Sequence, residues 1–446
     1  MYVCRISMTM SKEPSKQNKT RYIIIAVVII AIIAGAVAYQ SFTSSSSSSS
    51  ASQSQTMMNV SPVMNSTETV MSSSQTMMTE SMTSSTMSSA MNGGMPSTMP
   101  TVALLGAGAT FPAPLIQTWT VQFNQMYSGV TISYNPIGSG GGIQQISKKT
   151  VDFGASDAPL SNAQLAAAPG LTLFPETLGG VAITYNLVPF GLANGTVLKF
   201  TPNVIVGIYN GTITHWNDPA IEAINPGVTM PTNIITAVHR SDGSGTTYAF
   251  TNYLSVVNVN WATEVGYATS VKWPVDTATG ANGVGSKGNS GVAGTVLQTP
   301  GAIGYVDLIY AVQNNLGVGA VMNAAGNYVA PTLQTILWAA QNATGTPNAS
   351  DLRLHIVNAQ GAQSYPIATY TYLLTYKDMS LNPDLTQQKA QVLAYFFWWA
   401  VHGGQQYSTG LDYVPLPANV VAADEQFLLT LNYQGTQILP SSIMTG

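Results

Sequence analysis

Short apolar runs rich in β-branched residues alternate with longer segments of helical periodicity from Val102 onward. The runs "VALL", "VTISY" and "NIITAVH" predict strands, and the segments that follow them, "PAPLIQTWTVQFNQMY", "GGIQQISKK" and "GTTYAFTNYLSVV", predict helices. Such alternation is typical of an α/β fold with largely parallel sheets. Because the 345 residues from Val102 to Gly446 exceed what one hydrophobic core usually holds, we expect two lobes.

An uncharged apolar run of bilayer-spanning length, "YIIIAVVIIAIIAGAVA", occupies residues 22–38. Five of the six charged residues before it are basic, namely Arg5, Lys12, Lys16, Lys19 and Arg21, and Glu13 is the single acid. The positive-inside bias therefore predicts a cytoplasmic N-terminus at residues 1–21, a transmembrane anchor at 22–39 and a folded domain on the extracytoplasmic side of the cell membrane. A cleaved signal sequence is the alternative, because "AVA" at 36–38 resembles a cleavage site.

Residues 40–101 consist almost only of Ser, Thr, Met, Gln and Asn. This composition cannot build a core, and it predicts a disordered stalk that holds the following domain away from the membrane. Asn-X-Ser/Thr triplets are compatible with a glycosylated surface; they begin at Asn59, Asn65, Asn194, Asn210, Asn342 and Asn348.

Charge and cysteine content exclude several classes of function. Only 7% of the residues are charged and the net charge is −4, so there is no broad basic surface for nucleic acid. The single cysteine, Cys4, precedes any folded region, which excludes an intrachain disulfide and a cysteine nucleophile or metal site in the domain. The four histidines are scattered without metal-ligand spacing, and we expect neither a metal nor a cofactor.

Three strand-to-helix loops share the same glycine and hydroxyl chemistry: "GAGATFPAP" at 106–114, "IGSGGG" at 137–142 and "HRSDGSGTT" at 239–247. Free backbone N–H groups and the positive end of a helix dipole converge where such a helix begins. Loops after parallel strands also meet at one edge of the sheet. The three loops together favour a binding site for an anion.

Two charged residues define the chemistry of that site. The planar guanidinium of Arg240 suits a tetrahedral oxyanion, and Asp242 could orient it. Taken alone, the same residues are also consistent with a surface ion pair next to a helix capped by Ser244. Asp157, in "DFGASDAP", stands before the expected helix cap Ser161 and is on its own more typical of a turn or cap residue than of a ligand.

Six motifs in register resemble one family. "GAGATFPAP", "GSGGG", "VDFGASDAPLS", "RSDGSGTT", "GAIGYV" and "LDYVPLP" resemble the phosphate-binding proteins that deliver inorganic phosphate to ABC importers. The resemblance runs from about Leu105 to about Ala423 and leaves the anchor and stalk outside. Departures are Trp398 and Trp399 of "FFWWA" and the length of the stretch before "GSKGNSG"; neither lies at an expected ligand position.

The resemblance implies a type II periplasmic-binding-protein clamshell, with the ligand buried between two lobes that are joined by crossing strands. We expect lobe I at 102–180 and 360–446, and lobe II at 181–359. It further implies a non-catalytic, monomeric receptor that closes around phosphate and passes it to the permease subunits of an ABC importer.

The resemblance also implies the ligands of phosphate. Arg240 is expected to hold its oxygens with Asp242 bracing the guanidinium, and Asp157 is expected to accept a hydrogen bond from the proton of the phosphate. The remaining expected contacts come from hydroxyl or backbone N–H groups of Thr110, Phe111, Ser139, Ser244, Gly245 and Thr246. A buried carboxylate would repel fully ionised sulfate while it accepts from HPO₄²⁻, which gives a basis for selectivity.

Two other classes of protein remain open from the residues alone. A phosphatase would reuse the same oxyanion-binding loops, but "DGSGT" fails the G-x-S-x-G pattern because Asp242 occupies the first glycine position. His239 is the only histidine beside the site, and on a strand it should point away from Arg240. A surface adhesion or coat protein would account for the stalk and the low charge.

Overall fold

The structure is a computed structural model that describes residues 94–345 and 347–445. The expected cytoplasmic segment, the membrane segment 22–39 and the stalk up to residue 93 lie outside this range. Within it, the helices are too short or too polar to cross a bilayer. The described residues all fall within one compact unit.

Strands and helices alternate through most of this unit. The strands are β1 (Val102–Gly108), β2 (Val130–Pro136), β3 (Phe153–Ser156), β4 (Leu171–Tyr185), β5 (Lys199–Phe200), β6 (Thr236–Arg240), β7 (Asn282–Ser286), β8 (Ala302–Asp307), β9 (Gly317–Val318), β10 (Ala320–Met322), β11 (Tyr328–Val329), β12 (Ala368–Tyr376), β13 (Asn432–Tyr433) and β14 (Thr436–Gln437). The α-helices are α1 (Ala113–Met126), α2 (Ser139–Ser147), α3 (Asn162–Ala167), α4 (Pro202–Tyr209), α5 (Pro219–Ile224), α6 (Gly245–Val257), α7 (Val259–Glu264), α8 (Gly288–Gln298), α9 (Leu308–Gln313), α10 (Leu333–Gln341), α11 (Gln387–Val401) and α12 (Ala418–Leu428).

The main sheet has the strand order β2-β1-β3-β12-β4-β8-β6-β7, with β9 as an additional partner of β4. The outer strands are parallel, as the alternation predicts: β1 with β2 and β3, and β6 with β7 and β8. The centre is antiparallel, because β12 runs against both β3 and β4, and β4 runs against β8. The sheet is therefore mixed, and the prediction of largely parallel sheets holds only for its two flanks.

The long strand β4 is shared by the two flanks. Its first part, from Leu171 to Gly180, pairs with β12, and its second part, from Val181 to Tyr185, pairs with β8. Nearly every residue of this strand is buried, which is the pattern of a strand covered on both faces. One continuous strand thus connects the flank that contains β1–β3 to the flank that contains β6–β8.

Aromatic side chains fill the core on both sides of β4. Beside β1–β3, Phe123 packs edge-on against Phe396 and Trp399, with ring centroids 5.3 and 5.6 Å apart. The two tryptophans that depart from the family pattern, Trp398 and Trp399, are buried in this core on helix α11. Beside β6–β8, Phe250 stacks on Tyr305 at 4.3 Å. Each flank therefore buries its own aromatic cluster.

Local sequence signals account for several helix starts. Ser161 caps α3 in a capping box with Gln164, as expected from the sequence. Ser244 caps α6 by accepting the N–H of Thr247. Helix α2 begins at Ser139 without a side-chain cap, because its N-cap residue, Gly138, has no side chain; its φ of +91° favours glycine there.

The last residues of the expected stalk are a correction to the sequence analysis. The hydroxyl of Tyr127 donates to the carbonyl of Pro96 at 2.9 Å, and Met95 and Met99 are partly buried against the core. The described residues 94–101 therefore lie on the folded domain. Composition alone does not predict this packing, because a few apolar methionines in a polar tract are enough to pack on an existing surface.

Replacing Trp119 by Ala should destabilise the domain by about 3–5 kcal/mol, as measured by urea unfolding. Its ring is fully buried in α1, and its indole N–H donates to the carbonyl of Gly404 at 2.7 Å. Val121→Ala on the same helix is the matched control, because Val121 is 51% exposed and should change stability by less than about 0.5 kcal/mol. Equal effects of the two substitutions would contradict the packing described for α1.

Candidate anion-binding site

Loops at the carboxyl ends of strands on both flanks meet at one buried place. Ser139 begins α2 after β2, and Asp157 directly follows β3. From the other flank, Arg240 ends β6 and the following loop leads into α6 at Gly245. The backbone N–H of Gly140 donates to the carbonyl of Gly243 at 2.9 Å, which joins the two loops directly.

Ser139 connects three of these elements through one oxygen. Its Oγ accepts the N–H of Gly245 at 2.9 Å and the N–H of Asp157 at 3.2 Å. Gly245 contributes only backbone here, and a Cβ at this position would collide with Asp157 and with the Ser139 hydroxyl. The close approach of α6 to Asp157 therefore requires glycine at position 245.

The Asp157 carboxylate is buried among hydroxyl groups. Its Oδ2 accepts from the hydroxyls of Thr246 at 3.4 Å and Ser139 at 3.5 Å. Its Oδ1 is buried and has no hydrogen-bond partner among the described residues. Burial raises the pKa of Asp157 to about 7, although Arg240 and hydrogen bonds from Thr246 and Ser139 oppose the shift. The structure thus places an under-bonded carboxylate at the centre of the predicted site.

Arg240 is held by Asp242 in a bidentate pair, as the sequence predicts. Its Nε and Nη2 donate to the two Asp242 oxygens at 2.7 and 2.6 Å. Burial alone would raise the pKa of Asp242, but the hydrogen bonds and charge of Arg240, with the N–H of Gly288, lower it below its usual value. The remaining nitrogen, Nη1, lies 3.4 Å from the Thr246 hydroxyl. The guanidinium is therefore fixed with one edge toward Thr246 and Asp157.

Thr110 reaches the same cluster from the loop after β1. Its hydroxyl accepts from the backbone N–H and the side-chain amide of Asn289, at 3.1 and 3.0 Å. The same amide donates to Thr246 at 3.2 Å. Thr110, Ser139, Asp157, Arg240 and Thr246 thus form one connected network.

Phe111 and Ser244 are buried, but their ring contacts and hydrogen bonds are mainly with residues outside this network. The ring of Phe111 packs against Tyr413, whose hydroxyl donates to the Phe111 carbonyl at 2.6 Å. The Ser244 hydroxyl accepts the N–H of Thr247 at 3.0 Å, and its backbone N–H donates to the carbonyl of Thr269 at 2.8 Å. The anion contacts expected of these two residues, like those of the other expected ligands, stay predictions.

Asn289, which is fully buried at the start of α8, was not predicted as a site residue from the sequence. Its signal was present, because "GSKGNSG" is a fourth strand-to-helix loop with the same glycine and serine composition. Glu176 on β4 was not predicted either; its pKa is raised to about 8 by burial and by the charge of Asp157, despite a hydrogen bond from Thr371. Nothing in the local sequence distinguishes this glutamate from a surface residue.

Among the described residues, no arrangement of side chains supports hydrolytic catalysis. His239 is buried, its Nε2 lies 2.8 Å from Asp276, and its ring stacks on Trp273 with centroids 4.9 Å apart. In the described part of the chain, no three His, Cys, Asp or Glu side chains cluster as metal ligands would. The site consists of donors arranged around one carboxylate.

The mixed α/β sheet, with its buried site between loops of the two parallel flanks, defines a clamshell of the periplasmic-binding type. The model of the PBP superfamily domain matches residues 95–398. A crystal structure of the phosphate-binding protein from Stenotrophomonas maltophilia has the same fold, with a TM-score of 0.57 and 18% identity. The alignment covers 76% of this chain and 98% of that one.

Two relatives identify the family within the periplasmic-binding class. The phosphate-binding protein PstS of Xylella fastidiosa (strain 9a5c) is 44% identical over 326 residues, which cover 73% of this chain and 85% of the relative. The phosphate-binding protein PstS of Methanocaldococcus jannaschii is 34% identical over 333 residues, covering 72% of this chain and 84% of that one. The chain belongs to the PstS family of phosphate-binding proteins.

Replacing Asp157 by Asn should change how stability depends on pH when no anion is bound. The folded protein keeps the Asp157 proton up to about pH 7, whereas an unfolded chain loses it near 3.8. The folded state therefore binds more protons in this interval, and its free energy of unfolding falls as the pH rises. Asn cannot lose a proton, so the variant should gain stability relative to the wild type through this interval and keep that gain at higher pH.

Urea unfolding in phosphate-free buffers from about pH 4 to about pH 8 measures this difference. Asp384→Asn, a substitution at an exposed aspartate, is the control and should follow the wild type. Parallel pH profiles for wild type and Asp157→Asn would show that the Asp157 carboxyl titrates normally.

Proposed function

We propose that the protein binds inorganic phosphate on the extracytoplasmic side of the membrane and delivers it to the permease subunits of an ABC importer, without catalysis. One observation carries this proposal: a buried carboxylate, Asp157, is surrounded by the donors that a tetrahedral anion needs. These donors are the Nη1 of Arg240 and the hydroxyls of Ser139 and Thr246. The identity of 44% to a phosphate-binding protein supports the same function.

The balance of charge supports a singly protonated dianion as the ligand. A buried anion must have its oxygens hydrogen-bonded, since unpaired buried charge is very unfavourable. Neutral hydroxyl and N–H donors satisfy the oxygens, and Arg240 offsets part of the charge. An ionised Asp157 would accept the one proton of HPO₄²⁻, whereas sulfate has no proton to donate and would lie against the negative carboxylate without a hydrogen bond to it.

The proposed lobes are residues 102–180 with 360–446, and residues 181–359. The change of partner within β4, between Gly180 and Val181, supports a boundary there. Contacts such as the bond from Gly245 N–H to Ser139 Oγ link residues of the two proposed lobes. Phosphate bound to both lobes would stabilise the closed form over an open one, because its contacts are complete only on closure.

The cellular setting is part of the same proposal. Residues 22–39 would tether the domain to the membrane, and residues from 40 onward would act as a spacer. The domain would act as a monomer, with Thr110, Phe111, Ser139, Asp157, Arg240, Ser244, Gly245 and Thr246 as phosphate ligands and Asp242 as the brace of Arg240.

Purified residues 94–446 should bind phosphate in calorimetry with one-to-one stoichiometry, and a large excess of sulfate should not compete. Discrimination by about 10⁴ is within reach of a site built around a substrate hydroxyl. Asp157→Asn should reduce this ratio at least about tenfold, because an amide can also donate to sulfate. Asp276→Asn, which alters the partner of His239 outside the site, should keep it. Equal competition by sulfate in the wild type would refute the role given to Asp157.

Gly245→Ala should abolish phosphate binding while the domain still folds. The added Cβ would occupy space between Asp157 and Ser139, and alanine is otherwise favourable within a helix. Gly294→Ala in α8 is the matched control, because no atom lies within 4 Å of a Cβ placed there. Calorimetry and thermal melting of both variants separate binding from folding; unchanged phosphate affinity in Gly245→Ala would place the ligand elsewhere.

A further inference from the structure

The hydroxyl groups of the site share one bonding pattern. A hydroxyl oxygen has two lone pairs and one proton. The Ser139 oxygen accepts two backbone N–H groups, from Gly245 and Asp157. Both of its acceptor positions are therefore occupied, and the group can offer only its proton to a further partner.

The two threonines follow the same pattern through Asn289. The Thr110 oxygen accepts both the backbone N–H of Asn289 and its side-chain amide, at 3.1 and 3.0 Å. The Thr246 oxygen accepts the Asn289 amide at 3.2 Å and the Nη1 of Arg240 at 3.4 Å. Neither threonine retains a free lone pair, so each proton must point away from these donors.

The orientation of the Asn289 side-chain amide is determined by the hydrogen bond that its oxygen accepts. Its Oδ1 accepts the backbone N–H of Asp307 at 2.9 Å. This bond requires the oxygen on that side and therefore directs the two amide protons to the threonines. The side chain is fully buried, so water does not compete for these bonds.

We propose that Asn289 is a positioning residue of the phosphate site, which turns the hydroxyls of Thr110 and Thr246 into obligatory donors. This inference rests on the proposed function and extends it. With these hydroxyls unable to accept, Asp157 is the acceptor left for the guest in this network. The site therefore selects a tetrahedral oxyanion that carries a single proton, and Asn289 contributes to that selection without touching the anion.

Asn289→Asp is the most discriminating substitution, because aspartate keeps the shape of asparagine but replaces the amide donor by an acceptor. The threonine hydroxyls could then donate to residue 289 instead of to the anion, and a second negative charge would lie nearby. Phosphate affinity should fall more than about 100-fold in Asn289→Asp and by about 10- to 100-fold in Asn289→Ala.

A double-mutant cycle with Thr110→Val separates positioning from a purely structural role. If Asn289 acts through the Thr110 hydroxyl, its substitution by Ala should weaken phosphate binding clearly less in the Thr110→Val background than in the wild type. Calorimetry in phosphate-free buffer measures the four affinities, and thermal melting without phosphate reports folding. Asn225→Ala is the matched control: Asn225 is also a buried amide, bonded to Lys199 and Ile221, and its loss should leave phosphate affinity unchanged.

Each outcome has a distinct meaning. Wild-type protein that fails to bind phosphate would refute the proposed function, and with it this inference. Wild-type binding together with fold-changes that simply multiply in the cycle, or with wild-type affinity in Asn289→Asp, would refute only the role of Asn289. A reduced effect of Asn289→Ala in the Thr110→Val background, with unchanged affinity in Asn225→Ala, would support it.

Discussion

The rest of the site depends on holding two ionisable side chains, Arg240 and Asp157, inside a protein that has few charges. Both side chains are almost completely buried, at 4% and 1% exposure. An isolated buried charge is unfavourable by several kcal/mol, so each needs dedicated partners. Asp242 supplies them for the guanidinium, whereas Asp157 has only hydroxyl donors and one oxygen without a partner. The surrounding loops are therefore shaped by the need to bring neutral dipoles close to this carboxylate.

Much of this arrangement could be predicted from the sequence, because its signals are local. The caps Ser161 and Ser244 and the helices after "VALL", "VTISY" and "NIITAVH" follow from periodicity and capping chemistry. Parallel strands place their following loops at one edge of the sheet, which brought Ser139 and Asp157 together as expected. The Arg240–Asp242 pair was predictable because its members are two residues apart.

The remaining features depend on contacts between distant residues. The antiparallel centre of the sheet arises because β12 returns to pair with β3 and β4, which no local pattern reports. Asn289 contacts a threonine 179 residues earlier in the chain, so its identity as a site residue required the tertiary structure. In the sequence, Glu176 is a polar residue within an apolar strand. Only the folded structure shows that it is buried beside Asp157. Local chemistry thus predicted the loops, and topology decided which further residues join them.

The central position of β12 has a consequence for biosynthesis. Residues 368–376 insert between β3 and β4, which precede them by about 200 residues. Until this late segment has emerged from the ribosome, the facing edges of β3 and β4 lack their hydrogen-bonding partner, and exposed strand edges are prone to aggregation. Such distant pairing slows folding, since a long loop must close before its contacts form. A nascent chain would therefore stay incompletely folded until nearly all of it is made, a state that suits passage across a membrane and calls for protection on the way.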